Sequence, residues 1–488
     1  MGNVSGVIKA IQDIMRKDPG LSGDAQRIEQ LVWMFFLKIL DDRELELEFD
    51  DDDFVSPIPA ALRWRSWARP TAGRTGSILL EFVDKQLFPA LKDGLPSQGI
   101  TGKRAGVIRD VFAEANNFMK NGTLLRQDVN KINEIDFNNT EDRHTFGAIY
   151  EKILKDLQSA GNAGEFYTPR AVTKLIVDRL DPKINEIVLD PACGTGGFLA
   201  CAIDRKRKYQ KTTKDRELIS KTIRGVEKKA LPYNLCITNM ILHGIDIPSG
   251  IQHRNTLATP LRDYGDKERV HVIATNPPFG GMEVDGIEKN FPALYRTRET
   301  ADLFMVLIMR LLKKHGRAGV VLPDGFLFGE GKKTEIKRKL LKECNLHTIV
   351  RLPKSVFAPY TSIKTNILFF TNGEMTKDIW FYEHKLPENV KAYNKTTPMQ
   401  FEEFKPLIDW WGDESNGFKS RKESDQAWKV TTDYVEKRGY NLDIPNQNKV
   451  EASKRKPEEI FPEFEATQEK IASIHRQIKV VLTEALKR

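Results

Sequence analysis

Four consecutive residues, Asn276-Pro277-Pro278-Phe279, follow the apolar run Val270-His271-Val272-Ile273-Ala274, so a buried strand is expected to end in a stiff, acceptor-rich turn. The two prolines fix φ and remove two backbone donors. That leaves the Asn276 amide oxygen and the Pro277 carbonyl as unopposed acceptors at the carboxyl end of a strand. Phe279 adds an aromatic ring two residues on. Two acceptors beside a stacking ring suit a planar amine that must lose its conjugation and become nucleophilic. A proline-rich strand exit is the plain alternative for this tetrapeptide taken alone, but two further motifs stand with it.

The second is Asp190-Pro191-Ala192-Cys193-Gly194-Thr195-Gly196-Gly197-Phe198, which follows Ile187-Val188-Leu189 and opens a helix. Glycines at 194, 196 and 197 let the backbone approach a ligand closely at the carboxyl edge of a parallel sheet. The spacing is not the Gly-x-Gly-x-x-Gly dinucleotide pattern, and no Gly-Lys-Ser/Thr follows to hold phosphates. Asp190 ends one strand and Glu227 the next. Two such acids suit a ligand with an amino acid moiety and a ribose but no phosphate, a description that fits S-adenosylmethionine. The third element, Gly164-Glu165-Phe166-Tyr167-Thr168-Pro169-Arg170, lies just ahead of the first strand. Thr168 is placed to cap a helix that starts at Pro169, a role compatible with ligand contact.

The elements that must position these residues are legible from about 145 onward, where short apolar runs alternate with helical stretches. Thr222-Ile223-Arg224-Gly225-Val226 stops at Glu227, Ala318 to Leu322 at Pro323, His347 to Leu352 at Pro353, and Thr365 to Thr371 follows. The alternation predicts a parallel sheet with helices on both faces. The last two strands, too close in sequence for a crossover helix, are expected to pair antiparallel. Leu303 to Lys314 reads as a helix with Gly316 in the C-cap position. Residues 1 to about 140 read as helix, including an all-round apolar stretch from Ile28 to Leu40. The acidic tract Asp41 to Asp53, with Pro57 and Pro59, is expected to break that helix and to form a solvated loop. After about 395 the regularity fades, until Ile471, Ile474, Ile478, Val481, Leu482 and Leu486 mark one face of a final helix.

Composition narrows the class. The chain has 488 residues, 40% hydrophobic and 30% charged, enough for about three domains. Its longest apolar runs, Leu31–Leu37 and Leu303–Met309, fall far short of the roughly 20 residues that span a bilayer. Met1 to Ile11 lacks an export pattern, so a cytoplasmic protein is expected. The cysteines Cys193, Cys201, Cys236 and Cys344 are scattered and the eight histidines dispersed, which suggests neither disulfides nor a metal site. Net charge is +8 although Asp41 to Asp53 holds nine acids against one base, so the remainder is basic enough to suit a polyanion. Basic clusters at Arg205-Lys206-Arg207-Lys208 and at Lys332-Lys333 with Lys337-Arg338-Lys339 fit that reading or a solvated helix face equally well.

With these motifs in this order the chain resembles the amino-group DNA methyltransferases, specifically the modification subunits of type I restriction-modification systems. That family carries a Phe/Tyr-x-Thr-Pro element, Asp-Pro-x-x-Gly-x-Gly-Gly-Phe, a ribose-binding acid and Asn-Pro-Pro-Phe/Tyr, all found here between 164 and 279. The likeness extends to the helical N-terminal part and to Arg438-Gly439-Tyr440-Asn441-Leu442-Asp443-Ile444. It implies an α/β fold, a Rossmann-like S-adenosylmethionine-dependent methyltransferase core with a helical N-terminal domain and a C-terminal helical tail. The expected division is 1–140, helical; 141–395, catalytic; and 396–488, ending in a partner-docking helix.

Carried over position by position, the resemblance has Asn276 and the Pro277 carbonyl, in the turn stiffened by Pro278, accept hydrogen bonds from the exocyclic amine of a target adenine. Phe279 stacks on the extruded ring, a contact worth about 1–3 kcal/mol per base. Tyr167, Thr168, Asp190, Gly194, Thr195, Gly196 and Gly197 cradle the cofactor's amino acid part, with Glu165 and Pro169 also counted as cofactor-binding and Glu227 on the ribose. Where the resemblance suggests an Asp near the cofactor's adenine, the candidate is Asn255. The implied partners are double-stranded DNA, a separate specificity subunit, a second copy of the chain and a restriction (nuclease/translocase) subunit, with no membrane. The rivals are a methyltransferase for protein glutamine or RNA base amines, which usually lacks the helical N-terminal domain and the Tyr167-Thr168-Pro169 element, and a non-catalytic scaffold.

Overall fold

A computed structural model describes residues 4–137, 168–358, 361–394, 397–448 and 457–485. Glu165 and Tyr167 lie outside the described residues, as do Leu486 and the side chains of Val481 and Leu482. Nine strands are present among the described residues: β1 (Val188–Asp190), β2 (Ile223–Glu227), β3 (Ile251–His253), β4 (Val270–Thr275), β5 (Leu312–Pro323), β6 (Cys344–Arg351), β7 (Thr365–Asn372), β8 (Asp378–Glu383) and β9 (Ala427–Thr431). They form one sheet in the order β3-β2-β1-β4-β5-β7-β6-β8-β9.

Strands β1 to β5 run parallel, which sets the carboxyl ends of β1, β2, β3 and β4 along one edge. The expected antiparallel pair is β6 with β7, and β7 inserts between β5 and β6. Alternate residues of the central strands feed two cores, as the twofold side-chain period requires. Val321, Val350, Ile367 and Phe369 join the core containing the helices Arg170–Leu180 and Gly197–Arg207. Val320, Leu322, Ile349, Leu368 and Phe370 join the one containing Thr300–Leu311 and Lys332–Glu343.

Several expectations change. The helix Asp24–Asp50 continues through most of the acidic tract. The first acids of the tract are paired rather than solvated: Asp42 accepts from Lys38 at 2.5 Å, Asp41 from Arg65 at 2.8 Å and Glu44 from the Ser56 hydroxyl at 2.7 Å, whereas Asp50 to Asp53 are exposed as expected. Burial raises the Glu44 carboxyl to about 7. The tract's one cation, Arg43, donates to Asp246 beyond β2 at 2.7 Å and so ties the N-terminal helices to the sheet. The helix expected to reach Lys314 ends at Leu311. Gly316 does not cap it but lies in β5, where the pairing with β4 is irregular and an added Cβ would stand 2.9 Å from the Lys313 carbonyl oxygen.

Each basic cluster has one buried member, while Arg207, Lys208 and Lys332 are exposed. Lys206 is fully buried and donates to the Glu186 carbonyl and the Thr222 hydroxyl, each at 2.6 Å, while Arg205 pairs with Asp178 and Asp181. Lys337 is buried on the carbonyls of Leu327 and Gly329, and Lys333 pairs with Asp302. Lys206 and Lys337 hold the fold together and are unavailable to a polyanion.

The region past 395 returns to the sheet. Trp428 of β9 stacks on Phe381 of β8 with centroids 5.2 Å apart, and Trp411 meets Phe369 edge-on. Tyr440, Leu442 and Ile444 are buried, and Asp443 pairs with Arg351 at the end of β6 at 2.6 Å.

Asp128, in the helix Gly122–Ile132, is fully buried, and neither carboxyl oxygen has a hydrogen-bond partner among the described residues. Burial, and then the neighbouring Asp18 carboxylate, pushes it up to about 8 from its ordinary 3.8. Between those values the folded chain keeps a proton that the unfolded chain releases, so stability falls as pH rises through that window. Asp128→Asn cannot ionise and is therefore expected to stabilise the protein at pH 8 by on the order of a few kcal/mol, a tenfold change in a group's proton affinity being worth about 1.4 kcal/mol. The gain should be clearly smaller at pH 5. Thermal melts at both pH values check this, and equal gains would show that ionisation of Asp128 is not the cause.

Candidate active site

β1 delivers Asp190 to the sheet edge, and the glycine turn that follows is closed by the Gly196 N–H on the Cys193 carbonyl at 2.8 Å. The Cys193 N–H bonds the Val226 carbonyl of β2 at 3.0 Å, holding the turn against the next strand. Gly194 and Gly196 adopt φ of 52° and 82°, where a Cβ is strained. On Gly196 that Cβ would stand 2.8 Å from Cys236 Sγ, whereas on Gly194 it would meet nothing within 4 Å. The turn is therefore packed from beneath at Gly196 and open at Gly194, the shape a backbone needs if a ligand is to lie on it. The Thr195 carbonyl accepts from Asn239 at 3.0 Å.

Two acids flank this opening. Asp190 is buried, and its Oδ1 accepts from the Ala192 N–H at 3.1 Å and the Thr275 hydroxyl at 2.6 Å. Its Oδ2 is buried with no hydrogen-bond partner among the described residues. Burial raises the Asp190 carboxyl to about 7, and nearby Glu227 adds to the rise. A ligand ammonium would relieve both effects. Glu227 spans the turn from the other side: Oε2 accepts from the Gly194 N–H and Oε1 from the Lys229 N–H, each at 2.9 Å. Burial raises its pKa too. Each Glu227 oxygen keeps acceptor capacity for a ribose hydroxyl. An unspent buried acceptor, an open glycine turn and a half-buried diol acceptor together fit the amino acid and ribose parts of S-adenosylmethionine.

β4 brings Asn276 to the same edge. The side-chain nitrogen of Asn276 donates to the Thr168 hydroxyl at 3.0 Å, and its Oδ1 is buried with no partner among the described residues. Thr168 thus turns the amide so that its oxygen is the group left over. Thr168 does not cap the following helix as expected: Pro169 occupies the N-cap of Arg170–Leu180 with no side-chain bond, and the hydroxyl is spent on Asn276 instead. No donor among the described residues reaches the Pro277 carbonyl. Pro278 is half-buried beside it. Phe279 is buried and meets Phe357 edge-on, centroids 6.3 Å apart, so its ring is braced by the segment after β6.

Asn255 follows β3. Its Oδ1 accepts from the Leu257 N–H at 3.0 Å and its nitrogen donates to Glu283 at 3.3 Å, which leaves one amide hydrogen for a ligand. The structure brings Asn276, Thr168, Asp190, Glu227 and the glycine turn to one sheet edge. Sequence reasoning missed Thr275 and Glu283. The first was signalled only by its place between a strand and Asn276; the second had no local signal at all.

Comparisons with known proteins converge on one family. The N-6 DNA Methylase family model matches residues 141–456, and the HsdM N-terminal domain model matches residues 4–132. The chain is 58% identical over 485 residues to the type I restriction enzyme EcoEI methylase subunit of Escherichia coli, covering 99% of this chain and 98% of that one. It is 29% identical over 428 residues to the EcoKI methylase subunit of Escherichia coli K12, covering 82% and 75%. Among solved structures it is similar to a modification subunit of a putative type I restriction enzyme from Vibrio vulnificus YJ016, with TM-score 0.82 and 45% identity over 91% of this chain and 96% of that one. A chain from a type I R-M system studied for complex assembly and conformational transition superposes with TM-score 0.79 and 36% identity over 99% and 98%.

Proposed function

The chain belongs to the N-6 DNA methylase family as a methylase subunit of the type I restriction kind, and from that premise we propose that its Asn276 turn transfers a methyl group from S-adenosylmethionine to the exocyclic amine of adenine in duplex DNA. The observation that carries this reading is the buried Asn276 Oδ1 with no partner, held in that orientation by Thr168. Asn276 Oδ1 and the Pro277 carbonyl accept the two amine hydrogens. This draws the nitrogen lone pair out of conjugation with the ring. Because both acceptors are neutral and fixed in advance, they stabilise the positive charge that grows on nitrogen during attack. The amine is otherwise held in its base pair, so the adenine must be extruded; Phe279 is proposed to stack on it, which requires the buried ring to be uncovered as the base enters.

S-adenosylmethionine supplies the electrophilic sulfonium methyl when bound. Asp190, Gly194, Thr195, Gly196 and Gly197 are proposed to hold its amino acid part together with Thr168, Pro169 and the undescribed Glu165 and Tyr167. Glu227 takes the ribose, and Asn255 lies toward the adenine. No metal enters the scheme.

Thr168→Val removes the acceptor that turns the Asn276 amide. It is expected to lower the single-turnover rate about 10- to 100-fold, the loss of one well-placed hydrogen bond, with Thr168→Ser close to the unsubstituted rate. Full activity in the valine variant would show that Thr168 does not orient the amide.

Site choice is assigned to a separate specificity subunit, within an assembly that also holds a second methylase copy and a restriction subunit. The proposed division is a helical N-terminal domain to about 140, a catalytic domain to about 395, and a C-terminal region whose β9 pairs with β8 of the catalytic sheet. That region ends in the helix Pro457–Ala485, which exposes Ile471, Ile474 and Ile478 and is the proposed docking element for the specificity subunit. Removing residues 457–488 is expected to abolish co-purification with that subunit and leave cofactor affinity intact; retained co-purification would place the docking surface elsewhere. No helix among the described residues is long and apolar enough to cross a membrane, and a cytoplasmic location is proposed.

The direct test is transfer of labelled methyl from S-adenosylmethionine to genomic DNA with and without a co-expressed specificity subunit. Label on adenine N6 only when the subunit is present is the expected result. Label on protein or RNA would move the substrate to another planar amine.

A further inference from the structure

The segment just beyond the Asn276 turn has an unusual alternation. Met282 and Val284 are 66% and 69% exposed, yet Glu283 between them is only 6% exposed. A charged residue points inward while its two apolar neighbours point out, the reverse of what solvation alone would choose. The inward carboxylate is held from three directions: Lys228, next to Glu227 at the end of β2, at 3.2 Å; Asn255, beyond β3, at 3.3 Å; and the Thr300 hydroxyl, at the start of the following helix, at 3.4 Å. The backbone is fixed as well. Met282 bridges Glu299 antiparallel, the Glu283 N–H donates to the Arg298 carbonyl at 2.9 Å, and the Thr300 N–H donates to the Gly281 carbonyl at 3.2 Å. Gly280, at φ 76°, makes the turn from Phe279 into this ribbon.

We propose that Met282 and Val284 form an apolar wedge that enters the DNA base stack at the place vacated by the target adenine. The proposal rests on the reading of this site as an adenine methyltransferase for duplex DNA. Its occupant follows from position: the ribbon leaves the base-accepting turn three residues before Met282, so a base drawn to Asn276 and Phe279 leaves its gap beside these side chains. Apolar side chains inserted between base steps replace lost stacking contacts and bury surface that is otherwise wet. Glu283 supplies the stiffness a wedge needs. Because its anchors Lys228 and Asn255 stand on the strand ends proposed to hold the cofactor, the wedge is registered to the methyl donor.

The test uses the full complex with its specificity subunit and a duplex carrying the recognised sequence, identified beforehand from methylated genomic DNA. Two duplexes are compared, one with the target adenine paired to thymine and one with an abasic site opposite it, so that little pairing opposes extrusion. The Met282→Ser/Val284→Ser double variant, both positions being exposed, is expected to lose about tenfold or more in single-turnover rate on the paired duplex and little on the abasic one. The 2-aminopurine fluorescence of a probe at the target position should fall in parallel. Equal loss on both duplexes, or no loss on either, overturns the wedge. Absence of adenine methylation by the unsubstituted complex on both duplexes overturns the underlying reading, and the wedge with it.

Discussion

Asn276→Ala is expected to reduce the single-turnover rate of methyl transfer about 100- to 1,000-fold, the scale seen when one preorganised group facing a developing charge is removed. The affinity for S-adenosylmethionine should be nearly unchanged. Asn276 Oδ1 is buried and unpartnered, so the site already bears the cost of desolvating it, and the amine recovers that cost only when its hydrogen reaches the oxygen. Removing the side chain leaves the Pro277 carbonyl as a single acceptor, which cannot draw both hydrogens out of the ring plane. It also frees the Thr168 hydroxyl, a small change beside the first. Rapid-quench measurement of methyl transfer, with calorimetric titration of the cofactor in parallel, separates the two effects. A rate within tenfold of the unsubstituted complex would mean that Asn276 is not the principal acceptor.

Glu227→Ala is expected to weaken S-adenosylmethionine binding by about 100-fold or more, since hydrogen bonds to a charged group contribute about 1.5–3 kcal/mol each. Glu227 acts twice. Its free acceptor capacity faces the proposed ribose hydroxyls, and its Oε2 pins the Gly194 N–H at 2.9 Å, so alanine removes both a ligand contact and the strut that holds the open part of the glycine turn. Glu227→Gln keeps one acceptor but must turn an amide N–H toward one of the two backbone donors that Glu227 now satisfies, those of Gly194 and Lys229, and should lie between the two. Titration calorimetry gives the constant, and circular dichroism confirms that each variant is folded. An unchanged dissociation constant in a folded alanine variant would remove Glu227 from the cofactor site.

Much of the proposed site is legible in the amino-acid sequence because its signals are local. Two prolines after an apolar run constrain a turn whatever surrounds it, and the positive φ of Gly194 and Gly196 is a demand that their neighbours in sequence already announce. The alternation of apolar runs and helical stretches likewise predicts the parallel strands β1, β2, β4 and β5. With one apolar residue beside Gln252 and His253, β3 carries too little pattern to be announced, and β8 and β9 join the sheet only through contacts made after the regular alternation has ended.

Neighbouring residues along the chain are enough to mark the proposed chemistry: which acceptors stand at the end of β4, which glycines could lie under a cofactor, and the family that carries both. How those groups are aimed, and which charges stay available, is settled only by packing between distant segments. Thr168 reaches Asn276 across 108 residues, Thr275 reaches Asp190 across 85, and Asn255 reaches Glu283 across 28. The acids from Asp41 to Glu44 and the cations Lys206 and Lys337 read as solvated in sequence, yet folding buries them on partners. One cause underlies all of these. Backbone constraint and burial period are properties of adjacent residues, whereas the desolvation of a charge and the orientation of an amide depend on which distant groups packing brings within about 3 Å.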